Sequence, residues 1–100
     1  MNVIWAPLAE RRALEAVEFI QRERPTTAVA WLEGLLTKVA SLDRLAMRGR
    51  VVPEIGRRSY RELLHRPYRV IYRIDAGHVV ILTLRHERRA WDASELGADG

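Results

Sequence analysis

The chain opens on a short apolar run, Asn2 to Trp5, which reads as a strand of three or four residues ended by Pro7. From Pro7 the pattern turns helical. Proline suits a first helical turn, and Ala13, Ala16, Val17 and Ile20 recur at spacings of three and four. Arg24-Pro25 stops this helix, because the residue before a proline avoids the helical region. Thr26 or Thr27 is then placed to cap a second helix, in which Ala28, Trp31, Leu32, Leu35, Leu36, Val39 and Leu42 make one apolar stripe. Two antiparallel helices joined by a short proline turn follow.

Gly49, Pro53 and Gly56 punctuate the next stretch, a loop in which Val51-Val52 offers a brief strand. Three extended segments come after it, Tyr60–His65, Tyr68–Asp75 and His78–His86, linked at Arg66-Pro67 and Ala76-Gly77 as hairpins. Two registers are open to the second hairpin. A two-residue turn sets Asp75 opposite His78 and puts Val70, Tyr72 and Ile74 with Val79, Ile81 and Arg85. A three-residue turn with Gly77 in a G1 bulge sets Ile74 opposite His78. Only the second gathers Val70, Tyr72, Ile74, Val80, Leu82 and Leu84 on one side and Arg69, Arg73, Thr83 and Arg85 on the other, with Ile71, Val79 and Ile81 between them, so patterning favours it. The expected fold is α+β: a short N-terminal strand, an α-hairpin, then a three-stranded antiparallel meander, with both helices on one face and arginines on the open face. One domain, 1–100, is expected, with 90–100 as a flexible tail.

Charge sharpens the picture. The net charge of +4 divides into −1 over residues 1–43, +8 over 44–89 and −3 over 90–100. Sixteen of the seventeen basic residues are arginine, the side chain that grips carboxylate or phosphate with a planar fork. An acidic partner or nucleic acid suits such a face; simple solubility is the plainer alternative. Cysteine is absent, which excludes disulfides and cysteine-based zinc sites. No His/Asp/Glu grouping has metal-ligand spacing, so neither metal nor cofactor is expected. No run approaches the ~18 apolar residues a membrane span requires, and no secretory signal is visible; a cytoplasmic location is expected.

Four phrases carry a resemblance over residues 2–89: Gly49-Arg50-Val51-Val52-Pro53-Glu54, Tyr60-Arg61-Glu62-Leu63-Leu64, Tyr68-Arg69-Val70-Ile71-Tyr72-Arg73-Ile74 and His86-Glu87-Arg88-Arg89. With the Trp5-Ala6 start, their order and spacing resemble the ParE/RelE superfamily of toxins from bacterial type II toxin–antitoxin systems, ParE more closely than RelE. The resemblance implies growth inhibition by a toxin that a cognate antitoxin neutralises by wrapping it. A ParE-like toxin inhibits DNA gyrase; a RelE-like one cuts mRNA on the ribosome as an endoribonuclease.

Cleaving RNA requires a base, cations for the phosphorane and an acid for the leaving oxygen. Arg69 and Arg88 match the superfamily's phosphate-holding arginines, and Glu54 with His86 would supply a base and an acid. Yet Tyr60 and Glu62 stand where RelE proper carries lysines, and Trp91 cannot donate a proton as tyrosine does. Gyrase inhibition is therefore the first reading and mRNA cleavage the second. Arg61, Arg69, Arg73, Arg85, Arg88 and Arg89 are the candidates for holding target or antitoxin. The plainer alternative is that Arg69 and Arg73 pair with Glu62 and Asp75. His65 and His78, beside turns, are expected in solvent; Trp5 and Trp31 are expected in the core. A nucleic-acid module without toxin function is a third class, weakened by the lack of an RNP-type aromatic pair and of a basic recognition helix.

Overall fold

The computed structural model describes residues 1–91 together with Ser94 and Leu96. Its elements run β1 (Asn2–Trp5), α1 (Pro7–Glu23), α2 (Pro25–Ala40), two single-turn 3-10 helices (Ser41–Asp43 and Ala46–Arg48), β2 (Arg50–Val51), β3 (Tyr60–His65), β4 (Tyr68–Asp75) and β5 (His78–His86). Both helices begin with proline, whose missing N–H is no loss in a first turn. Arg24 closes α1, donating its N–H to the Ile20 carbonyl at 2.9 Å, and also stands before α2. The expected threonine cap is not used, because α2 starts at Pro25 with Arg24 in the cap position, two residues before Thr26.

The α+β class and the helix pair are as expected, but the sheet is larger than a three-stranded meander. Its order is β1-β5-β4-β3-β2. β1 lies parallel to β5, from Asn2 opposite His78 to Trp5 opposite Ile81. Parallel neighbours need a long connection, and the α-hairpin with the rest of the sheet provides it. β2 adds two residues beyond β3.

One face carries the main core. Ala9, Ala13 and Ala16 of α1 and Trp31, Leu35 and Val39 of α2 close over Leu63, Val70, Tyr72, Val79, Ile81 and Leu84. Small alanines let α1 approach the strands closely. Leu36, expected in the α2 stripe, is half exposed at its outer margin.

The register favoured by patterning is corrected here. Asp75 faces His78 across a two-residue turn, with Gly77 at φ +77. The irregularity lies further along, where Ile71 faces Thr83 but Tyr72 faces Ile81, leaving Leu82 as the extra residue. This shift returns Leu84 to the helix face while Val79 and Ile81 already point there. The reason for the misreading is that the far face is apolar as well. Val52, Tyr60, Ile71, Leu82 and Leu96 form a second cluster, with Ile55, Val80 and Trp91 against it. The far face is therefore not an open field of arginines. Leu96, only 6% exposed, and Trp91 pack here rather than fraying as a tail; positions 92, 93, 95 and 97–100 of that expected tail lie outside the described residues.

The loop before β2 is pinned to the sheet from below. The Tyr72 hydroxyl donates to the Ala46 carbonyl at 2.7 Å and accepts the Gly49 N–H at 2.9 Å. A side chain at position 49 would meet the Glu62 carbonyl oxygen at 2.5 Å, so only glycine fits the approach. Tyr72→Phe leaves a buried N–H and a carbonyl unserved, and should cost about 1–2 kcal/mol in urea unfolding. An unchanged midpoint would show that the loop holds without this hydroxyl.

Candidate functional site

Alternation along β3 and β4 sends Glu62 and Arg69 to the far face, between strands already buried on both sides. Arg69 becomes the hub of an ion cluster there. Its Nε donates to Glu62 Oε1 at 3.0 Å, and Nη2 reaches the same oxygen. Nη1 and Nη2 also donate to the two oxygens of Glu54, at 2.8 and 2.7 Å, a two-pronged contact. The second oxygen of Glu62 accepts Arg50 Nε at 2.8 Å. The Trp91 ring lies 5.2 Å from the Arg69 guanidinium carbon, within cation–π range.

Burial grades these partners. The Glu62 side chain is 5% exposed and that of Arg69 is 11%, against 30% for Glu54 and 69% for Arg50. The cluster is thus sealed at Glu62 and open towards Glu54. The hydrogen bonds from Arg69 hold the Glu54 carboxyl below its usual range, opposed in part by burial. Glu54 in turn raises the Arg69 guanidinium further above its already high range, with Glu62 adding to the effect. A cleft of about 560 Å³ opens beside the cluster, lined by Arg48, Arg50 and Arg69 and by Glu54, Glu62 and Glu87. Its cations and anions balance.

The other expected site residues are spread over both faces. Arg73 forms a fork with Asp75 at 3.0 and 3.1 Å, so the plain pairing of Arg69 with Glu62 and Arg73 with Asp75 is what the structure contains. The Arg61 guanidinium is buried, donating to the carbonyls of Gly49 at 2.9 Å and Arg58 at 3.0 Å. His86 pairs with Tyr68 and packs edge-on against its ring at 5.4 Å. Tyr68 belongs to the helix face, since its ring also meets Trp31 at 5.5 Å. Glu54 and Arg69 therefore meet, but His86 is on the opposite face of the sheet. Arg88 and Arg89 are exposed in the turn after β5. His65 is not in solvent as expected: its Nε2 lies 2.9 Å from the Trp31 carbonyl, and burial pushes its pKa down.

A second cleft of about 400 Å³ lies on the helix side, between α1 and β5. Arg12, Glu15, Phe19, Tyr68, His86 and Arg89 line it, with Arg85 alongside. Arg12 Nη1 donates to the Thr83 hydroxyl at 2.8 Å. β1 covers β5 only as far as Ile81, so beyond that point the outer edge of β5 borders this cleft with no strand neighbour among the described residues. Reading the sequence missed Arg12 and Phe19. The one signal was Phe19, 56% exposed on a face of α1 otherwise built from charged residues. Among the described residues no cluster of His, Asp and Glu is placed to hold a metal, and no helix is long and apolar enough to cross a membrane.

Residues 3–91 match the family model described as ParE toxin of type II toxin-antitoxin system, parDE. The chain belongs to the ParE toxin family. No curated protein matches it. Among solved structures, a chain of the chromosomal ParDE toxin–antitoxin system from P. aeruginosa is similar with a TM-score of 0.72 and 20% identity, covering 86% of this chain and 95% of that one. The YoeB dimer from Staphylococcus aureus gives a TM-score of 0.55 and the YoeB–YefM complex from the same organism 0.51, each at 15% identity over 86% and 95% of the two chains. At these identities the structures share the fold; the family assignment rests on the sequence match. The protein is a ParE-like toxin of the type II class.

Linkage gives the ion cluster a pH signature. Because the folded-state pKa of Glu54 is depressed, its contribution is complete above the ordinary carboxylate value near 4.5 and is lost as pH falls through the lower folded value. The melting temperature of the native chain should therefore fall more steeply below about pH 4.5 than that of Glu54→Gln. Parallel profiles for the two proteins would show that the contact with Arg69 carries no stability.

Proposed function

We propose that this toxin acts in the cytoplasm by binding and inhibiting DNA gyrase, and that a cognate antitoxin neutralises it. The observation that carries this reading is the state of Arg69. A phosphate-holding arginine in a ribonuclease has to meet its substrate, whereas here Glu54 and Glu62 occupy its fork. The residues an mRNA endonuclease would combine are also divided, Glu54 and Arg69 on one face and His86 on the other. Cleavage of mRNA on the ribosome is accordingly the weaker reading, and a protein-docking toxin the better supported one.

The helix-side cleft suits the antitoxin. Of the arginines expected to form a docking face, Arg61, Arg69 and Arg73 hold partners within the chain and Arg85 pairs across the strands with Arg69, while Arg89 lines this cleft with Arg12. Arg12 and Arg89 against Glu15, beside the exposed ring of Phe19, fit an acidic segment with an apolar anchor that folds as it binds.

Two measurements check the two halves. Purified toxin should inhibit gyrase supercoiling, and saturating antitoxin should restore it. An undisturbed gyrase, together with cleaved mRNA on translating ribosomes, would reverse the assignment. Phe19→Ala and Arg89→Glu should each weaken antitoxin binding by roughly tenfold or more while leaving the melting temperature nearly unchanged. Unaltered affinity in both variants would move the antitoxin off this cleft.

A further inference from the structure

The segment that joins α2 to β2 turns two apolar side chains outward, Leu45 at 56% exposure and Met47 at 54%. The backbone beneath them is braced at nearly every step. Leu45 donates its N–H to the Ser41 carbonyl at 3.0 Å, and Arg48 donates to the Leu45 carbonyl at 2.9 Å. The Ala46 carbonyl accepts the Tyr72 hydroxyl, while Arg61 Nη1 donates to the carbonyls of Gly49 at 2.9 Å and Met47 at 3.4 Å. Arg48 Nη1 closes the segment onto the Ser41 hydroxyl at 2.7 Å. A connection between a helix and a strand needs no such bracing. Its effect is to present Leu45 and Met47 on a backbone with little freedom left to lose on binding. A hollow of about 500 Å³ is lined by Leu45, Ala46 and Met47 together with Arg44 and Arg48. Both arginines are exposed, and the bond from Arg61 Nε to the Arg58 carbonyl brings a third exposed arginine to the same end of the sheet.

This hollow is separate from the helix-side cleft. Tyr72 braces Ala46, whereas Tyr68, which lines that cleft, stands earlier on the same strand by about 13 Å. We propose that Leu45 and Met47, flanked by Arg44, Arg48 and Arg58, form the surface that docks the toxin's target, and that the target meets it with an apolar pocket rimmed by carboxylates. The proposal rests on the reading of that target as gyrase, a folded protein. Charge selects this occupant. A second copy meeting this one on a twofold axis sets the same arginines against each other. Nucleic acid takes the arginines, but neither Leu45 nor Met47 offers a ring on which a base can stack. A braced surface also suits a folded partner better than a segment that folds as it binds, the occupant proposed for the other cleft.

The test compares the native chain with the double variant Leu45→Ser/Met47→Ser and with Arg44→Glu. It reads inhibition of gyrase supercoiling, antitoxin affinity, melting temperature and growth arrest on induction. The double variant should need about tenfold more toxin for half-inhibition and should lose growth arrest, with antitoxin affinity and melting temperature nearly unchanged. Arg44→Glu should weaken inhibition roughly threefold or more, and by less at high salt. Inhibition and growth arrest at native strength in the double variant overturn the proposal. Loss of antitoxin binding in that variant overturns it as well, giving the surface to the antitoxin, and so does a native dimer in sedimentation that the variant breaks. If the native toxin leaves gyrase untouched, the gyrase reading falls separately. Growth arrest then decides this surface, lost in the double variant if the target docks here and kept if it does not.

Discussion

Arg69 on the fourth strand is held between Glu62 of the third strand and Glu54 of the preceding turn, with Trp91 over its guanidinium. A charge this deep in a sheet persists only when its donors are met. Meeting them draws three separate pieces of chain onto the far face. The turn after β2 comes down because Glu54 must reach the fork, and β2 itself is tied in through Arg50 and Glu62. Trp91 lies over the guanidinium, and Leu96 packs with Val52, Tyr60, Ile71 and Leu82. The second apolar cluster and the ion cluster support each other.

That coupling also explains what the sequence disclosed and what it withheld. The α-hairpin was legible because Pro7 and Pro25 mark its helix starts and the apolar residues of each helix recur at helical spacing. The strands of the meander were legible from Arg66-Pro67 and Ala76-Gly77. The hairpin register was not, because both faces of these strands are apolar. Ile71, Val80 and Leu82 pack on the far side, under residues that are distant in sequence, and no local pattern announces that cover. The parallel seat of β1 beside β5 is likewise a property of the whole chain. At the site, Arg69 and Glu54 were both singled out, and the plain pairing of Arg69 with Glu62 was foreseen. That one guanidinium would bind both carboxylates depends on how the turn at Pro53 folds back, which spacing does not encode. Arg12 gave no signal, since a helix-surface arginine looks alike in solvent or beside a strand edge.

The two faces then divide their roles. The Arg69 cleft on the far face is charge-balanced and internally engaged, while the helix side keeps a cleft with Arg12 and Arg89 beside the outer edge of β5. The fold is shared with a chain of the P. aeruginosa ParDE system and with the S. aureus YoeB dimer, and a shared fold does not by itself fix a function. The separation of His86 from Arg69 and the occupation of the Arg69 fork are local facts of this chain, and the proposed docking on a protein rests on them.

The central claim is that Arg69 is satisfied within the chain, and a double-mutant cycle between Arg69 and Glu62 tests it most directly. Urea unfolding of the native protein, Arg69→Gln, Glu62→Gln and the pair should give a coupling of about 1.5 kcal/mol or more, as expected for a buried ion pair inside one network. A coupling below about 0.5 kcal/mol, the level of an exposed surface pair, would contradict the account and return Arg69 to the solvent-facing role of a ligand-binding arginine.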